Sequence, residues 1–385
     1  MKIRVPSYFK EFKCIAADCE DTCCAGWEIV IDDESYNRYK KVTGEFGKTL
    51  RNNIINCDGE NIFVLKGDNC AFLNENKMCD IYSELGGDSL CHTCKQYPRY
   101  TEEFGGLREI GLSLSCPEAA RIILRDSKKA VFELSEIQEE ITSYNDINAM
   151  LFINLLQSRK IVFAILQNRD ITIEYRASLI LKFASEIQAL IDENDITAIK
   201  AVNEKYLNKD NKDEIINSLV QYEAKGNIKY NNIKEFFQVF KELKHINSKD
   251  PLELHKVSSY FWKSNSDSEL YLDKHRQFDD FYKDKLYKFE HLLVYFIFRY
   301  FMKAVFDYDV VAKVKTAVVS YLMIKELFVF RWIESGEFTD KDSVDIIHMY
   351  SKDVEHLEEN IEKLAELFET NEVFSLDGFL TTLMN

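Results

Sequence analysis

Cys14-Ile-Ala-Ala-Asp-Cys-Glu-Asp-Thr-Cys-Cys24 places four thiols in eleven residues. Cys70, Cys79, Cys91 and Cys94 follow, separated by eight, eleven and two residues, and then the isolated pair Cys116-Pro117. All ten cysteines lie between residues 14 and 116, and residues 117–385 contain none. Free cysteine is often a small buried hydrophobe, but indifferent core filling would scatter it along the chain. Thiolates collected in this way either bridge each other or hold a soft metal. The start of the chain, Met1-Lys-Ile-Arg-Val-Pro-Ser-Tyr-Phe-Lys, has no apolar h-region and no small-residue cleavage site. That points to a reducing, cytoplasmic setting, where grouped cysteines bind metal rather than form disulfides. The reading that decides the fold is a small region gathered around sulfur.

Zinc and iron–sulfur chemistry both suit these spacings. Structural zinc takes four tetrahedral ligands, often as two Cys-x2–4-Cys units; Cys91-x2-Cys94 is one such unit and Cys19-x3-Cys23 can serve as a second. Iron–sulfur clusters also take four thiolates and often end in Cys-Pro, as at Cys116-Pro117. The bacterial ferredoxin run is absent, and Cys23 is followed at once by Cys24. Pro117 at a first helical position makes Cys116 the N-cap, where free amides should depress its thiol pKa. His92 reads as a loop residue between Cys91 and Cys94, and Cys57 as a bystander outside all three runs.

Around the thiols the chain reads as short strands and turns. Asp32 or Asp33 should cap a helix over about 34–43, broken by Gly44 and Gly47. One hairpin is expected with arms 70–73 and 78–82. A second has arms 97–104 and 107–115, joined by Gly105-Gly106. From about residue 127 the pattern turns helical, with apolar residues at i, i+3, i+4. Helices are expected near 129–142, 146–168, 171–192, 195–206, 210–224, 230–244, 251–262 (opening at Pro251), 268–286, 288–306, 309–335, 341–350, 352–370 and 375–384. The fold class is α+β: a cysteine-rich region over 1–125 with short strands and hairpins, then an all-α domain over 126–385. The 13 Gly and 4 Pro argue against repeats and long linkers.

The formal charge of −16, about −4 in residues 1–125 and −12 beyond, disfavours nucleic acid and anionic lipid as general partners. The apolar stretch Leu292–Met302 is short of a span and interrupted by Arg299, so no transmembrane helix is expected. Peripheral membrane association stays open, and no oligomeric state is assigned.

The cysteine runs, with Asn69-Cys-Ala-Phe-Leu73, Met78-Cys-Asp-Ile-Tyr82, Leu90-Cys-His-Thr-Cys-Lys-Gln-Tyr-Pro-Arg99 and Ser113-Leu-Ser-Cys-Pro-Glu118, resemble those of the flagellin lysine N-methylase family. The cysteine region is also similar to small zinc- or iron-chelating cysteine domains. Downstream, His291-Leu-Leu-Val-Tyr-Phe-Ile-Phe-Arg-Tyr-Phe301 resembles that family's aromatic helix. The resemblance implies methyl transfer from S-adenosylmethionine to lysine ε-amines of flagellin, in the cytoplasm, by a protein holding a 4Fe–4S cluster. The family pattern falls on Cys14, Cys19, Cys23, Cys24, Cys70, Cys79, Cys91, Cys94 and Cys116, more thiols than one cluster needs. Trp27, Tyr97, Arg99 and Tyr100 are candidate contacts for the cofactor or substrate, since aromatic faces attract sulfonium and ammonium cations. Arg99 could clamp the cofactor's carboxylate or pair with Glu102. No G-x-G-x-x-G follows a strand, so the usual dinucleotide-type fold for this cofactor is not expected. The competing classes are a non-catalytic zinc- or iron-binding protein with a helical partner-binding layer, and a redox iron–sulfur protein.

Overall fold

The computed structural model describes residues 1–139, 147–246, 252–263 and 268–385. Residue 146, the far end of the helix expected over 129–142 and the expected helix start at Pro251 lie outside them.

A mixed four-stranded sheet joins the two ends of the cysteine-rich stretch. β1 (Lys2–Pro6) runs parallel to β8 (Leu107–Leu112) and antiparallel to β9 (Phe132–Glu136), while β7 (Arg99–Phe104) closes the other edge in the order β7-β8-β1-β9. The hairpin turning at Gly105-Gly106 forms as expected, with Tyr100 opposite Gly111. A Cβ at Gly111 would stand 2.3 Å from the Tyr100 ring, so glycine there lets the aromatic lie across the neighbouring strand. β9 replaces the start of the helix expected at 129–142. Phe-Glu-Leu-Ser-Glu alternates with a period of two, and pairing with β1 satisfies its backbone.

The small sulfur-rich lobe is built from β2 (Val30–Ile31), α1 (Asp33–Lys40), α2 (Gly44–Asn52), β3 (Ile54–Cys57), β4 (Glu60–Phe63), β5 (Leu65–Lys66), β6 (Asn69–Cys70), α3 (Asp80–Leu85) and α4 (His92–Gln96). Its core gathers Cys24, Ile29, Ile31, Tyr39, Leu50, Phe63, Cys70, Phe72, Ile81 and Cys91. Two expectations fail here. The first hairpin shrinks to a single bridge between Leu73 and Cys79, because Asp80–Leu85 turns helical. Gly44 and Gly47 do not end helical structure but lie within α2; a Cβ on Gly47 would meet the Val42 carbonyl at 2.0 Å, so the close approach of α1's exit selects glycine.

α5 (Pro117–Leu124) leads into the helical body: α6 (Ala149–Leu166), α7 (Ile173–Asp192), α8 (Ile199–Leu207), α9 (Lys209–Leu219), α10 (Gly226–Lys241), α11 (Leu254–Phe261), α12 (Ser268–Tyr282), α13 (Tyr287–Tyr300), α14 (Ala304–Asp307), α15 (Val310–Ser335), α16 (Asp340–Tyr350), α17 (Glu358–Thr370) and α18 (Leu376–Leu383). α13 and α15 are apolar almost all round and form its centre, packed on each other and on α6 and α7. The large core runs continuously from Phe12, Phe104 and Cys116 through to Leu383. The α+β class holds, with helices dominating.

Among the described helices, α6 alone has the length and hydropathy of a membrane span. Its setting is that of a core helix. Arg159, 2% exposed at its middle, makes a two-pronged ion pair with Glu109 of β8, and Arg4 of β1 reaches the same carboxylate at 2.7 Å. A guanidinium buried this deeply needs such a partner.

Candidate functional site

Three candidate ligands stand at helix starts. Cys79 precedes α3, Cys91 precedes α4 and Cys116 precedes α5, so their sulfurs face amides with no partner inside the helix. Asp32 ties one of these helix starts, that of α4, to α1. Its carboxylate accepts the Ser35 amide of α1 at 2.8 Å and the His92 amide of α4 at 2.7 Å. Against the penalty of burial, those amides hold Asp32 down to about 2.

All ten cysteines are free thiols. The nine candidate ligands separate into two groups by mutual proximity. Cys23, Cys24, Cys70, Cys79, Cys91 and Cys94 act electrostatically on one another. Cys14, Cys19 and Cys116 form the second group. Within the first, hydrogen bonding with the Cys24 thiol lowers Cys23 and Cys79, Cys79 to about 7, and raises Cys24 itself. Hydrogen bonding with Cys94 likewise lowers Cys91. Burial pushes Cys70 up to about 11. Among the described residues, no three His, Cys, Asp or Glu side chains close on one point as ligands of a single ion. His92 is exposed, and Cys57 is exposed on β3 away from both groups.

Cys116 corrects an expectation. It does occupy the N-cap of α5, and the amides of Ala119 and Glu118 do favour its thiolate. Yet at 8% exposure burial weighs more than those amides and raises the thiol to about 12. The helix dipole acts on Cys116, but burial outweighs it.

The aromatic candidates line a seam between the lobe and the helical body. Trp27 is held by its indole N–H, which donates to the Cys23 carbonyl at 3.0 Å. Its ring lies 5.7 Å from Tyr97 and meets His356 edge-on at 4.6 Å. Tyr97 stands between the two thiol groups, within electrostatic reach of Cys116 and Cys23, with its hydroxyl 3.1 Å from Ser115. Tyr100 is covered by the Arg299 guanidinium, 4.2 Å from the ring centre. Arg99 lies over the Phe12 ring at 5.0 Å, and Glu102 pairs instead with Lys303 at 2.8 Å, so the local pair considered for Arg99 does not form.

The sequence reading missed what lies behind this seam. Glu355, 5% exposed, accepts Tyr295 at 2.7 Å, Arg299 Nε at 2.8 Å and Tyr300 at 3.1 Å through one oxygen. Tyr295 in turn accepts the Leu114 amide at 3.2 Å, two residues before Cys116. The connection therefore runs from the second thiol group through Tyr295 and Glu355 to His356, Trp27 and Cys23. Tyr295, Arg299 and Tyr300 all belong to the aromatic helix read from the sequence. Glu355 closes a π-helical turn (Ser351–Glu355), a local irregularity with no sequence signal of its own.

His356 makes the seam sensitive to pH. Burial first, then Arg299 and Lys352, lower its imidazole to about 4 against the pull of Glu355. An unfolded histidine near 6.5 binds a proton that the folded one refuses, so stability falls as pH drops from about 6.5 towards about 4. The loss is at most about 3 kcal/mol. Urea midpoints of the unmodified chain and His356→Phe, compared across that range, should diverge in slope; parallel pH profiles would remove His356 from this role.

The profile of the FliB lysine N-methylase C-terminal domain matches residues 159–382. Among curated proteins, the flagellar biosynthetic protein FliU of Salmonella muenchen is 29% identical over 135 residues, 31% of this chain and 76% of that protein. The lysine-N-methylases of Salmonella typhimurium and Salmonella choleraesuis are each 28% identical over 149 residues, 35% of this chain and 35% of theirs. The match thus spans about a third of the length of those two enzymes. No solved structure matches. The matched domain holds α13, the π turn and Glu355, and covers more than half of the chain, which belongs to the FliB lysine N-methylase family.

Proposed function

We propose that the protein is a protein-lysine methyltransferase that moves a methyl group from S-adenosylmethionine to lysine ε-amines of flagellin in the cytoplasm, and that its sulfur-rich lobe carries a 4Fe–4S cluster. The observation that carries this reading is the seam itself. The aromatic helix of the family domain meets the thiol groups through Tyr295, Glu355, His356, Trp27 and Tyr97.

Lysine methylation needs an amine that has lost its proton, so the site must bring the ε-amine below its free value of about 10.4. It must also hold the methyl sulfonium in line with that amine. Trp27 and Tyr97 present ring faces to which a sulfonium is attracted. Arg99, with its planar guanidinium over Phe12, can take the cofactor's carboxylate bidentately. Tyr100 contributes through Arg299, which it stacks upon and helps to orient. A thiolate-ligated centre would draw on the group of six neighbouring thiols, with the protons held by Cys24 and Cys94 lost on ligation. Four of Cys23, Cys24, Cys70, Cys79, Cys91 and Cys94 would supply its ligands. When bound, such a cluster offers electron storage and a Lewis-acidic anchor. Zinc would use the same thiols. Iron and zinc analysis of anaerobically purified protein separates the two.

The deciding experiment supplies methyl-labelled S-adenosylmethionine and flagellin to anaerobically purified protein. Label should appear on lysine ε-nitrogens by peptide mass spectrometry. Label-free flagellin after incubation with metal-replete protein would defeat the reading and favour a binding or redox role.

A further inference from the structure

A cleft of about 300 Å³ lies between the sulfur-rich lobe and α15–α16. Glu20 and Asp21, which sit between Cys19 and Cys23, form one wall, and Asp345 and His348 of α16 form the other. Its floor is apolar, with Leu327, Phe330, Ile346 and Met349 among the lining residues. Four carboxylates and the guanidinium of Arg331 line it.

Most of those carboxylates are already engaged. Glu20 pairs with Arg121, Asp21 with Lys352 at 2.7 Å, and Glu253 with Lys256 and Arg331. Asp345 makes no ion pair among the described residues. His348 supplies a second, independent sign. It is 4% exposed, its Nδ1 lies 3.1 Å from the Val344 carbonyl, and it therefore carries the proton there. Nε2 is left as a lone-pair acceptor turned towards the acidic wall, 3.7 Å from Asp21, and it has no hydrogen-bond partner. A buried acceptor without a donor is costly unless something supplies one. Lys352, whose ammonium already sits on Asp21, is an internal example of the group this wall holds.

We infer that this cleft is the acceptor-lysine pocket: its apolar floor takes the four-carbon stem of a substrate lysine, Asp345 receives the arriving ammonium, and the unprotonated His348 Nε2 accepts the proton that the amine must lose before methyl transfer. The inference rests on the methylation reading for its substrate. The chemistry of the ligand follows from the cleft: an apolar chain ending in a hydrogen-bond-donating cation, not a carboxylate or a phosphate. Phe330 on the floor adds a ring face that attracts the same charge.

The test uses the full chain, with Nα-acetyl-L-lysine amide and its norleucine counterpart, which lacks the ammonium, as probes in calorimetric titration. The lysine compound should bind and the norleucine compound should not. Asp345→Asn should weaken binding about tenfold, as expected for a lost charge-assisted hydrogen bond. Asp345→Lys, which places its own ammonium in the cleft, should abolish it. Equal binding of the two probes, or unchanged binding in folded Asp345→Asn and Asp345→Lys, overturns the pocket. Should a variant not fold, carbodiimide activation of the unmodified chain with the lysine probe present gives the answer: an amide between Asp345 and the probe's ε-nitrogen, with the urea released, supports the assignment, and coupling at other carboxylates but not at Asp345 overturns it. The two readings fail separately. Methyl transfer to flagellin with an unaltered KM in Asp345→Asn sinks the pocket alone, whereas the expected binding results without any methyl transfer sink the enzyme alone.

Discussion

Glu355→Ala is expected to destabilise the protein by about 3–5 kcal/mol, the cost of stripping a buried charge of its partner. The carboxylate is 5% exposed and receives Arg299, Tyr295 and Tyr300 within 3.1 Å. Removing it leaves three buried hydroxyls, those of Tyr295, Tyr300 and Ser351, without this acceptor, beside a guanidinium whose Nη1 already lacks one. Glu355→Gln keeps the acceptor oxygen and loses only the charge, so its cost should be nearer about 1.5–3 kcal/mol. The paired change Arg299→Met with Glu355→Met removes both charges together. It should cost less than Glu355→Ala, because desolvation of the ions no longer has to be offset. Urea midpoints at constant slope, read from the helical signal, give the ordering. A loss below about 1 kcal/mol for Glu355→Ala would mean that water reaches this cluster, and the seam would then not be the rigid link between lobe and body.

The parts of this architecture that a local rule governs are legible in the sequence. Asp32 caps α1, Gly105-Gly106 turns the β7–β8 hairpin, Pro117 opens α5, and the apolar periodicity places most helices of the body. At β9 a long-range partner decides instead. β9 is a strand because β1, more than a hundred residues earlier, offers its edge. Asp80–Leu85 is helical because the Cys79 sulfur and Asp80 favour its first turn over a hairpin arm. Cys116 shows the same conflict in its electrostatics, since a local dipole argument gives the sign that burial in the shared core reverses. Cysteine spacing marks the thiols as a set, but only the folded chain separates Cys14, Cys19 and Cys116 from the other six. Glu355 and His356 carry no motif at all. They matter because a π turn aims one at Arg299 and the other at Trp27.

Cys79→Ser and Cys91→Ser should each strip bound metal and unfold the sulfur-rich lobe while leaving the helical body folded. Cys91 is fully buried in the small core, and Cys79 packs against it. That core has about ten buried side chains and short two- to four-residue strands, too little apolar burial to stand without a further tie. The body has its own continuous core running to Leu383 and does not depend on the lobe to bury α13 and α15. The lobe holds only four short helices, so far-ultraviolet dichroism should change little. Limited proteolysis should open the chain between about residues 14 and 98, and metal analysis should show the loss directly. Cys57→Ser, with its sulfur exposed on β3 and 3.9 Å from Asp58, changes neither the small core nor either thiol group and should retain metal. Full metal content in both Cys79→Ser and Cys91→Ser would exclude those sulfurs as ligands and leave the lobe held by its apolar core alone. Loss of helical signal in proportion to metal would instead mean that the body borrows its stability from the lobe through Tyr295 and Glu355, and Glu355→Ala in metal-free protein would then add no further destabilisation.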